Sequence, residues 1–406
     1  MTVIKVVDSI MGTGKTSSAI NLMNEDTEHN YIFITPYLNE VERIKKSCEN
    51  RKFFEPKPRS EGGKFESLHN LLAENRNIVS THALFKRAND ETKELINAGN
   101  YILILDEVMD VVEQLEIKKD DLQALKELNL ISIDENNYVI WNEDKLDYDS
   151  RYNDIKDMAV NKTLLYYKET ILMWNFPVEV FKMFKEVYIL TYLFDAQIQK
   201  YYYDYHGLAY DKYIAAYEND KYIFKKNDNY SDKEVKQQIK TKVNIYEGNL
   251  NDIGNLDYSL SKSWYTKKSA PTLKKLKNNI ENYYRNILKS KSDQNMWTTH
   301  KDYQGKLKGK GYTKGFVQST ARATNEFKDR TCLAYTINRF VNPILYGFFH
   351  EKGVTVNQDE YALSEMIQWI WRSAIRDDKE INLYIPSKRM RVLLMQWLND
   401  EQIHYK

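Results

Sequence analysis

Cysteine is nearly absent from this chain of 406 residues, which holds only Cys48 and Cys332. Two thiols cannot build a disulfide framework or a four-ligand zinc site, and they fit a reducing interior. Long apolar runs are missing as well. The run Tyr101 to Leu105 is far short of the roughly 18 residues a membrane helix needs, so no membrane contact is expected. The opening MTVIKVVDSIMGTGKT lacks a basic stretch followed by an apolar one and a small-residue cleavage site, which argues against a secretory signal and for an intracellular protein. The seven histidines are scattered, with none paired at i, i+4 around a Glu. Neither the G-x-S-x-G elbow of a hydrolase nor a Rossmann G-x-G-x-x-G occurs.

What is present describes a chain that buries a sizeable core. Hydrophobic residues make up 42% and charged ones 29%, which excludes wholesale disorder and rod-like folds. The length allows two or three domains of about 100–200 residues each. A net charge of +1 conceals an asymmetry. Residues 1–195 hold 24 Lys and Arg against 34 Asp and Glu, whereas residues 196–406 hold 35 against 24. Within the basic half, residues 251–315 carry 14 basic and 5 acidic side chains. Such a block either neutralises phosphates by counterion release or forms a solvated lysine-rich face.

Short β-branched runs alternate with amphipathic stretches over the first 110 residues: Val3–Val7, a helix through Leu22, Tyr31–Ile34, a helix from Leu38, Ile78–Val79, a helix from Ala83, then Tyr101–Leu105. That rhythm predicts an α/β domain with a parallel sheet. Residues 115–165 interrupt it with an acidic helix (Asp120–Leu128) and a hairpin (Leu130–Ile133, Tyr138–Trp141), an expected insertion. A helix from Pro177 and a strand Val187–Leu190 then close a first domain over residues 1–195. Residues 196–260 read as a helix, a loose hairpin and a linker. A second α/β domain is expected over 261–406, with a helix Thr272–Leu288, strands near Asn295–Thr298 and Thr331–Tyr335, a helix Glu360–Arg376, a strand Ile381–Ile385 and a helix Lys388–Leu398.

Two motifs carry chemistry. Ser9-Ile10-Met11-Gly12-Thr13-Gly14-Lys15-Thr16 follows a strand and opens a helix, the setting of a phosphate-binding loop, with Ser9 where the general pattern has Gly. Gly12 and Gly14 let backbone N–H groups of Thr13 through Ser17 face phosphate oxygens, Lys15 reaches the β- and γ-phosphates, and the Thr16 hydroxyl suits Mg²⁺. The second motif is Tyr101-Ile102-Leu103-Ile104-Leu105-Asp106-Glu107-Val108-Met109, a buried central strand ending in two carboxylates. Asp106 can hold the Mg²⁺ shell while Glu107 orients or deprotonates the attacking water.

Taken together, DSIMGTGKT and LDEVMD resemble motifs I and II of superfamily 2 (DEAD/DEAH-like) helicases. The DEVM form is especially similar to that of phage helicases and of the helicase part of herpesvirus-type replication origin-binding proteins. Thr35-Pro36 resembles motif Ia, Ser80-Thr81-His82 motif Ib, Leu190-Thr191-Tyr192 a degenerate motif III, Gln318 to Asn325 the motif V region, and Gln368 to Arg376 motif VI. The resemblance implies two RecA-like domains, ATP and Mg²⁺ as cofactors, and nucleic-acid contacts from Thr35, Pro36, Thr81, His82, Arg322, Thr324 and Asn325. The basic tract offers further phosphate contacts, its aromatics Trp264, Tyr265 and Trp297 being either stacking faces or core side chains, with Trp297 and Thr298 counted among the expected nucleic-acid contacts.

On a helix, Gln368, Arg372 and Arg376 share one face, because four residues advance about 400°. An arginine reaching the γ-phosphate from there would act as an arginine finger, and the spacing leaves open which of the two does so. The function expected is an ATP-dependent helicase or translocase on single-stranded or forked DNA, with RNA also possible, serving phage replication or recombination beside other replication proteins in the cytoplasm of an infected bacterium. Three alternatives stand beside it: a nucleotide-switched loader or adaptor without unwinding, a DNA-packaging motor ATPase, and a nucleic-acid-binding protein with a decayed ATP site, against which the intact Lys15, Thr16, Asp106 and Glu107 argue.

Overall fold

The computed structural model describes residues 2–36, 38–58, 63–149, 151–228, 230–320 and 326–405. Its strands in chain order are β1 (Val3–Asp8), β2 (Asn30–Thr35), β3 (Phe53–Phe54), β4 (Asn77–Thr81), β5 (Tyr101–Asp106), β6 (Val112–Gln114), β7 (Ile131–Ile133), β8 (Val139–Trp141), β9 (Leu164–Tyr167), β10 (Ile171–Asn175), β11 (Glu186–Thr191), β12 (Asp211–Glu218), β13 (Lys221–Lys226), β14 (Val243–Ile245), β15 (Asn295–Thr298), β16 (Cys332–Tyr335) and β17 (Ile381–Tyr384). The chain divides into two compact units. One comprises Met1–Ser9, Thr13–Asn227 and Asn342–Val356; the other comprises Ile10–Gly12, Asp228–Val341 and Asn357–Lys406.

An eight-stranded sheet in the order β13-β12-β1-β11-β5-β2-β4-β3 organises the first unit. All its pairings are parallel except β12 with β13. β5 shows why the alternation reads so clearly, since every side chain from Tyr101 to Leu105 is buried, as a strand covered by helices on both faces requires. The expected insertion is present and larger than its sequence limits. Beside the helix Lys119–Glu127 and the hairpin β7–β8, it includes a helix Asn153–Val160 and a three-stranded antiparallel sheet β6-β10-β9 around its own small core. The first unit runs to Asn227, past the end expected near residue 195, because β12 pairs with β1 and continues the main sheet. The hairpin read as loose is therefore a sheet edge. The segment Asn342–Val356 also belongs here, its helix Pro343–Glu351 laying Phe348 against Tyr167 and Tyr205 and Phe349 against Tyr201.

The second unit carries a four-stranded, all-parallel sheet in the order β14-β17-β16-β15. Its core is aromatic, with Trp264, Tyr265, Tyr283, Tyr284, Trp297, Tyr312 and Tyr384 in one cluster. A buried phenol needs a partner for its O–H, and the backbone supplies it. Tyr265 donates to Thr336 O (2.7 Å), Tyr284 to Met296 O (2.6 Å), Tyr312 to Leu307 O (2.6 Å) and Tyr384 to Leu250 O (2.7 Å). Two expected nucleic-acid contacts are corrected by this core. Trp297 and Thr298 lie on β15 with 0% exposure, and Trp297 is wedged edge-on between Tyr312 and Phe316, so neither offers a face to a base. The lysines of the 251–315 tract do reach solvent, Lys267, Lys268, Lys274, Lys275, Lys306, Lys308, Lys310 and Lys314 all being exposed.

Trp297→Ala should lower the free energy of unfolding by about 3–5 kcal/mol, the cost of a cavity the size of an indole in a packed core. Denaturant unfolding followed by far-UV circular dichroism measures it; a change below about 1 kcal/mol would contradict the core assignment.

Candidate active site

The phosphate-loop geometry follows from where β1 ends. Beyond Asp8 the chain turns through Ser9–Gly14 into the helix Lys15–Glu25, with Gly12 and Gly14 at φ 87° and 90°, a left-handed backbone that glycine adopts without strain. The helix has no side-chain cap and no acidic residue in its first turn. The first N–H groups of a helix are not used within it, and together with the positive end of its dipole they favour an anion at this end. Lys15 Nζ donates to Ser9 O at 2.6 Å. Burial pulls the Lys15 ammonium below the usual lysine range, opposed by the negative charges of Glu107, Asp8 and Asp106.

The acidic pair stands at the end of β5, one strand removed from β1. Leu190 of β11 aligns with Asp106, and Thr191 aligns with Asp8. Burial and the nearby Glu107 and Glu40 push the Asp106 carboxyl up to about 7, against the Thr35 hydrogen bond and the Lys15 charge. Glu107 adopts φ 68°, unusual for a non-glycine residue, and its N–H donates to Leu190 O at 2.9 Å, so the strained turn is held by the neighbouring strand.

Thr35 is reassigned by the structure. It is fully buried at the end of β2, and its Oγ1 donates to Asp106 Oδ2 at 3.2 Å, so it orients a carboxylate and has no surface to offer a nucleic-acid strand. Pro36, Thr81 and His82 are half-buried at the ends of β2 and β4, with Thr81 aligned to Thr35. Arg322, Thr324 and Asn325 lie outside the described residues.

Two supporting residues lie outside the expected set of site residues. Asp8 accepts from Leu193 N (2.7 Å) and Phe194 N (3.0 Å), tying the end of the phosphate-loop strand to the turn after β11. Burial raises its carboxyl above the usual range, opposed by those two N–H groups. Gln199, fully buried, accepts from Met109 N at 2.9 Å and donates to Tyr203 Oη at 3.1 Å, fixing the segment that follows Glu107. Asp8 stood inside the recognised motif and could have been flagged as a charge at a buried strand end. Gln199 left no sequence signal.

The shared helix face expected of Gln368, Arg372 and Arg376 does not form. The helix Gln358–Ile370 stops because Ser373 turns extended, with its hydroxyl donating to Ile370 O at 2.7 Å in place of a continuing turn. Gln368 is half-buried in the last turn. Arg372 is 4% exposed and donates to Gln318 O at 3.2 Å, while Arg376 is exposed on the short 3₁₀ turn Ala374–Asp377.

The donor set suits the expected metal. Thr16 and Asp106 offer hard oxygens, and Mg²⁺ is commonly held by one or two such groups together with phosphate oxygens. Among the described residues no group of three or more His, Cys, Asp or Glu side chains is arranged to hold a metal ion.

A carboxyl whose folded value lies above its unfolded value of 3.8 costs stability as pH rises through that window. In metal-free protein this contribution therefore falls between about pH 4 and pH 7 and is constant above. Asp106→Asn should melt higher than the parent at about pH 8, with the difference closing towards about pH 4, read by thermal unfolding. Equal melting temperatures at the higher pH would contradict a buried, charged Asp106.

The model of the YonV C-terminal Rossmann-like domain matches residues 237–398, and that of the YonV middle domain matches residues 112–174, the span of the inserted module. The SPbeta prophage-derived protein YonV of Bacillus subtilis (strain 168) is 53% identical over 410 residues, covering 98% of this chain and 99% of that protein. Among solved structures, an XPD helicase aligns over 98% of this chain and 94% of its own with a TM-score of 0.50 at 10% identity. The S. tokodaii Xpd4 structure aligns over 97% and 94% with a TM-score of 0.44 at 9% identity. The fold is thus α/β with a Rossmann-like second domain, and its similarity to the XPD helicase structure fits two RecA-like domains. No helix among the described residues is long and apolar enough to cross a membrane. At 53% identity over nearly the whole of both chains, the protein belongs to the YonV family.

Proposed function

We propose that the chain is an ATP-dependent nucleic-acid helicase or translocase of superfamily 2, acting on single-stranded or forked DNA in phage replication or recombination. The observation that carries this reading is Lys15 and the Asp106–Glu107 pair at carboxyl ends of strands in one parallel sheet, where open α/β sheets bind ligands. Support for the nucleic-acid part comes from the XPD-like fold and the exposed lysines of residues 251–315; support for the phage setting comes from the prophage-derived relative. The likeness of the DEVM motif to herpesvirus-type origin-binding helicases belongs to this proposal too.

In this reading Gly12 through Ser17, Lys15 among them, would hold the triphosphate, and Thr16 and Asp106 would hold Mg²⁺. The metal, when bound, neutralises charge on the β- and γ-phosphate oxygens. Thr35 keeps the Asp106 carboxylate turned to its task. Glu107, aimed by its left-handed backbone, positions the attacking water and accepts its proton.

Lys15→Ala should abolish ATP turnover while leaving the circular dichroism spectrum intact. Single-stranded DNA should stimulate hydrolysis, with the effect weakened by salt. A phosphate-release assay with single-stranded, duplex and forked DNA and with RNA tests these points. Full activity in Lys15→Ala would overturn the site, and stimulation without strand displacement on a fork would favour a loader or adaptor.

A further inference from the structure

The hairpin β12–β13 is fastened to the phosphate loop at one point and to the helix that follows it at three. Ser9 Oγ accepts from Ala215 N (2.9 Å), Ser18 Oγ donates to Ile223 O (3.2 Å), Asn21 Nδ2 donates to Tyr222 O (3.0 Å), and Lys221 pairs with Glu25 (2.7 Å). Its inward face continues the core outward. Ala215 and Phe224 are cross-strand partners in the core cluster, with Phe224 stacked on Tyr188 at 5.2 Å. The next cross-strand pair on the same face is Tyr217 with Tyr222, their rings 4.8 Å apart and inclined at 58°.

Tyr222 lies directly on the loop. A side-chain carbon placed on Gly14 would come within 2.2 Å of its Cδ1 and 2.3 Å of its Cε1, so the ring occupies the space that glycine leaves open beside Lys15. Tyr217, beyond it, is 59% exposed. The core closes at Phe224, and the pair Tyr217–Tyr222 extends an aromatic face beyond it to the edge of the anion site.

The strand order says what does. β1 has β11 and then β5 on one side, bearing Asp106 and Glu107, and β12 on the other, bearing the tyrosines. A triphosphate gripped at its β-phosphate by the loop has its γ-phosphate towards the carboxylates, which leaves its nucleoside end pointing to the β12 flank. Resting on the nucleotide reading above, we infer that Tyr222 and Tyr217 form the platform on which the base and ribose of the bound nucleoside triphosphate lie. Stacking uses the face that every base possesses, so the platform demands a base without selecting one.

Isothermal titration calorimetry of the full chain with ATP, GTP and inorganic tripolyphosphate tests this. Tyr222→Ala should weaken ATP and GTP alike by roughly tenfold or more and leave tripolyphosphate unchanged, while Tyr222→Phe, which keeps the ring, should bind all three as the parent does. Exposed Tyr217→Ala, which removes no buried side chain, should weaken ATP several-fold with tripolyphosphate again unchanged and decides the matter if Tyr222→Ala fails to fold. Equal losses for ATP and tripolyphosphate, or no loss of ATP in either alanine variant, would overturn the platform. Failure of the parent to bind either ATP or tripolyphosphate, or undiminished binding by Lys15→Ala, would instead overturn the nucleotide site itself.

Discussion

The parallel ladder β1–β11–β5 is the constraint on which the site depends. Its hydrogen bonds align Asp8 with Thr191 and Leu190 with Asp106, so the phosphate loop and the acidic pair leave the sheet at the same level, two strand spacings or about 9–10 Å apart. A slip of one residue would turn Asp106 to the other face and take its carboxylate from Lys15 and Thr35. The register is guarded by burial, since all five residues preceding Asp106 are in the core. It is also guarded by polar ties at the ends, Glu107 N to Leu190 O and the Asp8 carboxylate to Leu193 and Phe194.

Concentrating charge there is electrostatically expensive, and the arrangement offsets the cost locally. Lys15 sits amid three carboxylates that favour its charged form, and Asp106 retains a hydrogen bond from Thr35 while burial and Glu107 favour its proton. Such opposed pulls are common where groups must meet a charged ligand. The second unit spends its polar groups otherwise. Its tyrosine hydroxyls go to backbone carbonyls inside the core, and its lysines go to the surface, so high tyrosine usage there reflects packing.

The departure at Ser9 from the usual glycine finds its reason in the fold. Its hydroxyl is 1% exposed and accepts from Ala215 N, joining the loop to a strand some 200 residues later in the sequence. Glycine would leave that buried N–H unmatched, a loss of about 1–3 kcal/mol.

Local chemistry made the first sheet, the insertion and the strand–turn–helix around Lys15 legible from the amino-acid sequence alone. Alternating apolar runs, a glycine turn before Lys15 and a buried strand ending in Asp106–Glu107 each draw on interactions within a few residues of one another. What depends on distant partners had to await the fold. Trp297 read as a stacking ring and is core, because only packing against Tyr312 and Phe316 distinguishes the two. Thr35 read as a strand contact and serves Asp106, 71 residues away. Arg372 and Arg376 read as one helical face until the Ser373 hydroxyl ended the helix. The β12–β13 hairpin and the Pro343–Glu351 helix joined the first unit through pairings and aromatic contacts that span the chain. Residue types and short spacings set which chemistry the chain can perform; side-chain burial and strand register, being long-range, settled which of those residues are placed to perform it.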